Sequence, residues 1–245
     1  MNAMNETCRE VLEKGFRMEL IMQRDMYIKI ENYMLSCMKD GAHDCQHIYR
    51  VLYAALDIAK DYEVDKEVLI AASLLHDIGR EAQFQNPILD HAIIGSEKAY
   101  DYLQLIGWPE YKTQHVKACI FSHRFRNSNP PESIEAKILF DADKLDATGT
   151  MGIARTIAYE GIVAEPLYCV DEQGNVLDGE ENQESSFFHE YNWKLKNVYD
   201  KFFTSHAKII AEGRKKASVE FYENMYKEVK TIHKTGLKAL NNELV

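Results

Sequence analysis

Apolar residues recur at helical spacing along most of this 245-residue chain. After Asp44, one helical stripe is formed by Ile48, Val51, Leu52, Ala55, Ile58 and Ala59. The segment 68–75 is a nearly continuous apolar run, which is typical of a helix buried on all sides. Alternating strand patterns are almost absent. The pattern therefore predicts an all-α protein, folded as a single-domain helical bundle.

Capping residues predict where several helices begin and end. Asp65 is a candidate N-cap for the helix that runs through His76, and Gly79 is a candidate stop. Pro87 is expected to open a helix that continues through Leu103. Helical patterns also cover 111–123, 133–146, 150–160, 191–203 and 205–234.

The helical pattern fails from about 162 to 191, where turn-forming and acidic residues dominate. We expect an irregular excursion there, with a short hairpin as one option. No repeat or linker interrupts the remaining chain. The predicted organisation is an N-terminal helical extension over 1–24, the main domain with its C-terminal helices over 25–234, and a tail over 235–245.

The charge of the chain restricts its partners. The formal net charge is −10, and nucleic-acid polymers are usually bound by basic surfaces, so we expect no polymer of this kind. No apolar stretch reaches the roughly 18 residues that a membrane span needs. Five scattered cysteines without a C-x-x-C pair indicate reduced thiols and a cytoplasmic protein. The oligomeric state stays open, a homodimer included.

The adjacent residues His76 and Asp77 end the apolar run and carry the main chemical signal. An imidazole and a carboxylate in a protein interior are costly to desolvate unless a partner compensates them. A divalent metal ion is one such partner, and His47 and Asp143 lie on helices whose patterns turn them inward. Imidazole and carboxylate ligands suit Mn²⁺, Fe²⁺, Mg²⁺ or Zn²⁺, and the sequence does not choose among them.

Four motifs in order strengthen this signal. They are 43–51 (HDCQHIYRV), 74–80 (LLHDIGR), 141–147 (DADKLDA) and 152–156 (GIART). Together they resemble the HD-domain superfamily of metal-dependent phosphohydrolases, and within it the stand-alone bacterial YedJ/YpgQ-like branch. The resemblance extends from about 25 to 230 and includes 185–189 (SSFFH).

The resemblance implies an HD-domain helical bundle and a set of metal ligands. Carried over position by position, the ligands are His47, His76, Asp77 and Asp143, which together would bind one divalent ion. Mn²⁺, Mg²⁺ and Fe²⁺ are the first candidates for this ion, with Zn²⁺, Co²⁺ and Ni²⁺ as further ones. Asp77, or a nearby carboxylate or histidine, would orient the attacking water, and a bound ion would offset the negative charge of the chain toward a small phosphorylated substrate.

Several neighbouring residues have more than one interpretation. His43 either orients phosphate, or acts as a base, or caps a helix. Lys144 either offsets phosphate charge or is solvated. His91 and His123 either contact the substrate, or bind a second metal, or are structural. Arg80 and Arg124 are candidate phosphate contacts near helix ends.

The leading functional hypothesis is hydrolysis of a small nucleotide, most specifically by a nucleoside triphosphate pyrophosphohydrolase. The alternatives within the class are a 5′-nucleotidase and a cyclic-nucleotide phosphodiesterase. Two further alternatives are a di-iron oxygenase, which would need His91 and His123 as ligands, and a nucleotide sensor without catalytic activity.

Overall fold

The computed structural model describes residues 22–38, 45–125, 129–180 and 184–244. Its α-helices in chain order are α1 (Arg24–Cys37), α2 (Cys45–Ile58), α3 (Lys66–Leu75), α4 (Arg80–Gln85), α5 (His91–Leu105), α6 (Glu110–Ser122), α7 (Ile134–Leu145), α8 (Gly149–Val163), α9 (Phe187–Trp193) and α10 (Ser205–Glu243). Short 3-10 helices cover Ala59–Asp61 and Leu195–Asp200. The described residues form no strand longer than an isolated bridge, so the all-α prediction is confirmed.

The chain divides into two compact units, Met1–Ala142 and Asp143–Val245. The division falls inside the continuous helix α7. The single domain predicted over 25–234 is thus shared between the two units.

Helix α3 is the centre of the first unit. It packs against α1, α2 and α6, which explains why its sequence is apolar on every face. The predicted N-cap is confirmed: the Asp65 carboxylate accepts hydrogen bonds from the backbone N–H groups of Glu67 and Val68, at 3.0 and 3.2 Å. The other end of α3 delivers His76 and Asp77 into the interior of this unit.

Helix α5 begins later than the sequence predicted. The expected start at Pro87 is wrong, because Asp90 caps the helix by accepting a hydrogen bond from the N–H of Ala92 at 2.8 Å. Asn86 and Leu89 form a turn before it, closed by a 3.0 Å backbone hydrogen bond. The true cap makes His91 the first residue of the helix.

The second unit contains the predicted irregular excursion. Helix α8 ends at Val163 and α9 begins at Phe187; between them lies a turn closed by one antiparallel bridge, Val170 to Val176. A buried cluster anchors this segment, formed by Ile153, Val176, Phe187, Phe188, Tyr191 and Leu195. The excursion predicted near 162–191 is therefore confirmed.

The helix predicted over 191–203 is wrong. Helix α9 ends at Trp193, and a 3-10 helix follows. The Asn197 side chain donates to the carbonyl oxygens of Asn192 and Trp193, at 2.9 and 3.0 Å, and so satisfies acceptors at the end of α9.

Helix α10 then runs for 39 residues, from Ser205 to Glu243, through most of the segment 235–245 that was predicted as a tail. In the described parts of the chain, no helix combines the length and apolar character needed to cross a membrane.

A close backbone approach joins the start of α4 to α5. A Cβ atom on Gly79 would lie 2.7 Å from the backbone nitrogen of Gly95, and closer still to the carbonyl oxygen of His91. Gly79 has an ordinary φ of −88°, so contact, and not conformation, requires glycine here. The predicted stop at Gly79 therefore marks a packing site between two elements.

We expect Gly79→Ala to lower the free energy of unfolding by roughly 1–3 kcal/mol, because α4 must move away from α5. The control is Gly161→Ala in α8, where a Cβ atom meets nothing within 4 Å. This control should leave stability unchanged or raise it by up to about 1 kcal/mol. Urea denaturation measures both changes, and equal effects of the two substitutions would contradict the packing argument.

Glu160 is a buried carboxyl group on α8, with 3% of its surface exposed. Neither carboxyl oxygen has a hydrogen-bond partner among the described residues. Burial, and then the charges of Glu165 and Glu190, raise the pKa of Glu160 to about 7. Folding therefore favours the protonated form of this side chain.

This raised pKa predicts a pH-dependent stability. The stabilisation from protonated Glu160 is complete below the pKa of the unfolded chain and is lost as pH rises through about 7. We expect Glu160→Gln to raise the free energy of unfolding at pH 8 by roughly 1–3 kcal/mol and to have little effect at pH 5. The matched control is the exposed Glu228→Gln. Urea denaturation at the two pH values measures these changes. The same change in the free energy of unfolding for both variants would contradict the prediction.

Candidate metal centre

The centre is built around Asp77, which follows the C-cap residue of α3, His76. Both side chains are buried, with 0% of His76 and 2% of Asp77 exposed. Backbone hydrogen bonds from Ile78 N to Leu75 O and from Arg80 N to Asp77 O hold the turn into α4. The carboxylate is thus fixed on a rigid turn inside the first unit.

One oxygen of Asp77 faces two histidines. The Nε2 atoms of His47 on α2 and of His76 lie 3.5 and 3.6 Å from Asp77 Oδ2. The same two nitrogens lie 3.3 Å from each other. Two imidazole nitrogens and a carboxylate oxygen converge at this side of Asp77, which is the donor set of a transition-metal site.

The other oxygen of Asp77 faces a second pair of histidines. His91 is the first residue of α5, and His123 is the C-cap residue of α6. Their Nε2 atoms lie 3.3 and 3.7 Å from Asp77 Oδ1. Asp77 is therefore shared between two histidine pairs, one on each oxygen.

Backbone carbonyls determine the tautomers of two of these rings. His76 Nδ1 lies 2.8 Å from the carbonyl oxygen of Ser73, and His123 Nδ1 lies 2.6 Å from that of Ile120. A carbonyl oxygen only accepts, so each Nδ1 carries the proton and each neutral ring has a lone pair on Nε2. These Nε2 atoms lie 3.6 and 3.7 Å from oxygens of Asp77, and a lone pair on Nε2 is what metal ligation requires.

Arg80 balances part of the charge at the centre. Its Nε donates to Asp77 Oδ2 at 2.6 Å, while 42% of its side chain is exposed. Burial alone would raise the pKa of Asp77, yet the positive charge of Arg80 holds that pKa well below its usual range. Burial also lowers the pKa of His91 to about 4. The centre thus contains an ionised carboxylate and a neutral His91 at neutral pH.

Two buried polar atoms at the centre fit a bound cation. Asp77 Oδ1 and His91 Nε2 have no hydrogen-bond partner within the part of the chain that the structure describes. Leaving such groups unsatisfied costs about 1–3 kcal/mol each. One ligand atom from each of Asp77, His91 and His123 lies within 4.8 Å of the others. This donor chemistry suits a divalent metal ion.

Asp143 is carried by α7, the helix in which the division between the units falls. Asp143 itself belongs to the second unit. Its carboxylate accepts from Lys144 Nζ at 2.8 Å. The role of His47, His76, Asp77 and Asp143 as ligands of one metal ion therefore stays a prediction.

The remaining predicted contacts have different surroundings. Arg124 lies 3.4 Å from the carboxylate of Asp90, the N-cap of α5, so it supports the helix that presents His91. His43 lies outside the described residues, and its predicted role stays a prediction.

Gln83 on α4 was not among the site residues predicted from the sequence. Its Oε1 is 2.5 Å from His91 Nδ1. No motif indicates this residue. The only sequence signal is its position one helical turn after Arg80, on a helix that begins next to Asp77.

Comparison with known proteins supports this picture. A family model described as "HD domain" matches residues 45–148. The Bacillus subtilis protein YpgQ is 28% identical over 207 residues, which is 82% of this chain and 92% of YpgQ. The crystal structure of YpgQ in complex with ADP superposes with a TM-score of 0.64 at 26% identity, covering 82% of this chain and 97% of that chain.

Two further solved structures are HD-superfamily hydrolases. The one from Bacillus thuringiensis is 30% identical, with a TM-score of 0.63, and the match covers 84% of this chain and 98% of that chain. A predicted HD superfamily hydrolase from an uncultured Thermotogales bacterium is 31% identical, with a TM-score of 0.56, covering 81% of this chain and 90% of that chain. With the histidine and aspartate cluster described above, these matches show that the chain belongs to the HD-domain superfamily of metal-dependent phosphohydrolases, in its stand-alone YpgQ-like group.

Proposed function

We propose that this phosphohydrolase hydrolyses a small nucleotide, and that its reaction splits the α–β anhydride of a nucleoside triphosphate to release pyrophosphate. The observation that carries the proposal is the buried Asp77, with one oxygen beside His47 and His76 and the other beside His91 and His123. The ADP bound to YpgQ supports a nucleotide as the ligand class. We place the activity in the cytoplasm, since the cysteines described are free thiols.

The ligands in this proposal are His47, His76, Asp77 and Asp143, and they bind one divalent ion. When bound, such an ion polarises a phosphoryl oxygen and lowers the pKa of its water. Asp77 is ionised, so it accepts a hydrogen bond from that water and orients it. His43 is a further candidate base, on the strength of its motif alone.

Three cations then compensate the charge of the substrate. Lys144 and Arg80 each pair with a carboxylate at the centre, and Arg124 pairs with Asp90 at the start of α5. Asp77 and Asp143 would help to hold the ion, which would supply positive charge there, and Arg80 and Lys144 would then be able to contact phosphate oxygens. These contacts would let a chain with a net charge of −10 bind an anion.

A screen of nucleoside triphosphates, nucleoside monophosphates and cyclic nucleotides with Mn²⁺, Mg²⁺, Co²⁺ or Ni²⁺ tests the reaction. We expect metal-dependent release of pyrophosphate from triphosphates. Release of phosphate from monophosphates alone would favour a 5′-nucleotidase, and ring opening would favour a cyclic-nucleotide phosphodiesterase. Turnover of none of these compounds would favour the sensor hypothesis.

Substitution of Asp77 tests the centre itself. Asp77→Ala should abolish metal retention and lower the rate of hydrolysis by on the order of 1,000-fold, with helicity preserved. Asp101→Ala, an exposed carboxylate on α5, is the control and should retain both properties. Metal analysis, steady-state kinetics and circular dichroism measure these effects. Full activity of Asp77→Ala would show that the proposed centre is wrong.

Lys144→Ala distinguishes charge compensation from structural support. We expect turnover to fall by roughly 10- to 100-fold while metal affinity changes much less, because Lys144 pairs with Asp143 but is not itself a proposed ligand. Kinetics and metal titration of the same preparation give both values. Equal losses in the two would assign Lys144 to the support of Asp143.

The group formed by Asp77, His91 and His123 favours a second candidate, a dinuclear centre. Such a centre would also permit the di-iron oxygenase hypothesis. Metal content after iron loading distinguishes the one-metal proposal from the dinuclear candidate. One ion per chain supports the proposal above, and two ions support the dinuclear candidate.

A further inference from the structure

We propose that Gln83 is a positioning residue that holds His91 in the tautomer with its proton on Nδ1, so that Nε2 acts as an acceptor beside Asp77. This inference deepens the proposed function, since it specifies what His91 can contact in the same centre. The residue lies on α4 and contributes no ligand atom to either histidine group.

The side chains of Gln83 and His91 make a short contact. Gln83 Oε1 lies 2.5 Å from His91 Nδ1. An amide oxygen only accepts, so this contact requires the proton on Nδ1. His91 thereby has the arrangement that backbone carbonyls give to His76 and His123. At His91 the acceptor is a side-chain oxygen. The ring belongs to the first residue of α5, so no preceding turn of that helix supplies a carbonyl oxygen.

The opposite side of the His91 ring faces Asp77. His91 Nε2 lies 3.3 Å from Asp77 Oδ1, and neither atom has a hydrogen-bond partner among the described residues. With the proton on Nδ1, two acceptors face each other in a buried space. That arrangement attracts a cation or an O–H donor, and it disfavours an anion such as a phosphate oxygen.

The functional consequence concerns the role of His91. A ring with its proton on Nδ1 and an acceptor at Nε2 cannot donate a hydrogen bond from Nε2 to phosphate. His91 therefore contacts a metal ion or the O–H group of a water molecule, and substrate phosphates are left to Arg80 and Lys144. Loss of Gln83 should then impair turnover more than substrate binding.

Nitrogen-15 NMR of the metal-free protein tests the tautomer directly, because the two forms have different couplings between ring nitrogens and carbon-bound protons. His91→Gln identifies the His91 signal by its disappearance. We expect the Nδ1–H form in the wild-type protein and a population of the Nε2–H form in Gln83→Met. Gln83→Glu keeps an acceptor at this position and should restore the Nδ1–H form. Gln85→Met, on the exposed side of the same helix, should leave the signal unchanged.

Kinetics with the best nucleotide provide the second measurement. Gln83→Met should lower kcat by roughly 10- to 100-fold with little change in KM, and Gln83→Glu should recover most of the loss. An Nε2–H ring in the wild-type protein, or an unchanged ring in Gln83→Met, would overturn the proposal. The NMR result requires no turnover. An inactive protein with the expected tautomers would refute the proposed function and leave the role of Gln83 intact.

Discussion

Burial of the Asp77 carboxylate is the constraint on which the centre depends. A charge with 2% of its residue surface exposed is stable only if the surrounding groups replace the hydration it has lost. Arg80 supplies one charge, and four imidazoles supply polar atoms on both oxygens. His76 and His123 carry their protons on Nδ1, so their Nε2 atoms donate no hydrogen bond to the carboxylate. Asp77 Oδ1, the oxygen that faces His91 and His123, remains without a hydrogen-bond partner among the described residues.

The fold of the first unit meets this constraint by placing rigid helix ends around one point. Helix α3 is enclosed by its neighbours, so its last turn cannot relax toward solvent. Gly79 allows the following turn to approach α5, and the Asp90 cap fixes where that helix begins. Helix ends place side chains with little conformational freedom, which reduces the cost of assembling several ligands in one site.

The sequence predicted those features that are encoded locally. The Asp65 cap, the buried helix and the His76–Asp77 pair each depend on neighbouring residues and were recognisable without coordinates. The start of α5 was not, because Pro87 is an acceptable first-turn residue, whereas the helix begins after the side-chain cap of Asp90. Gln83 was also missed. Gln83 and His91 are eight positions apart on two different helices, and no periodic sequence pattern predicts such a contact.

The central claim is that the carboxylate of Asp77 binds a divalent metal ion together with imidazole nitrogens. Anomalous diffraction from crystals soaked in Mn²⁺ tests it most directly, since the signal locates the ion without reference to activity. The account predicts the strongest anomalous peak within bonding distance of an Asp77 oxygen and of the Nε2 atoms of His47 and His76. A saturated crystal with no peak at Asp77, or with its strongest peak at carboxylates elsewhere, would contradict the account.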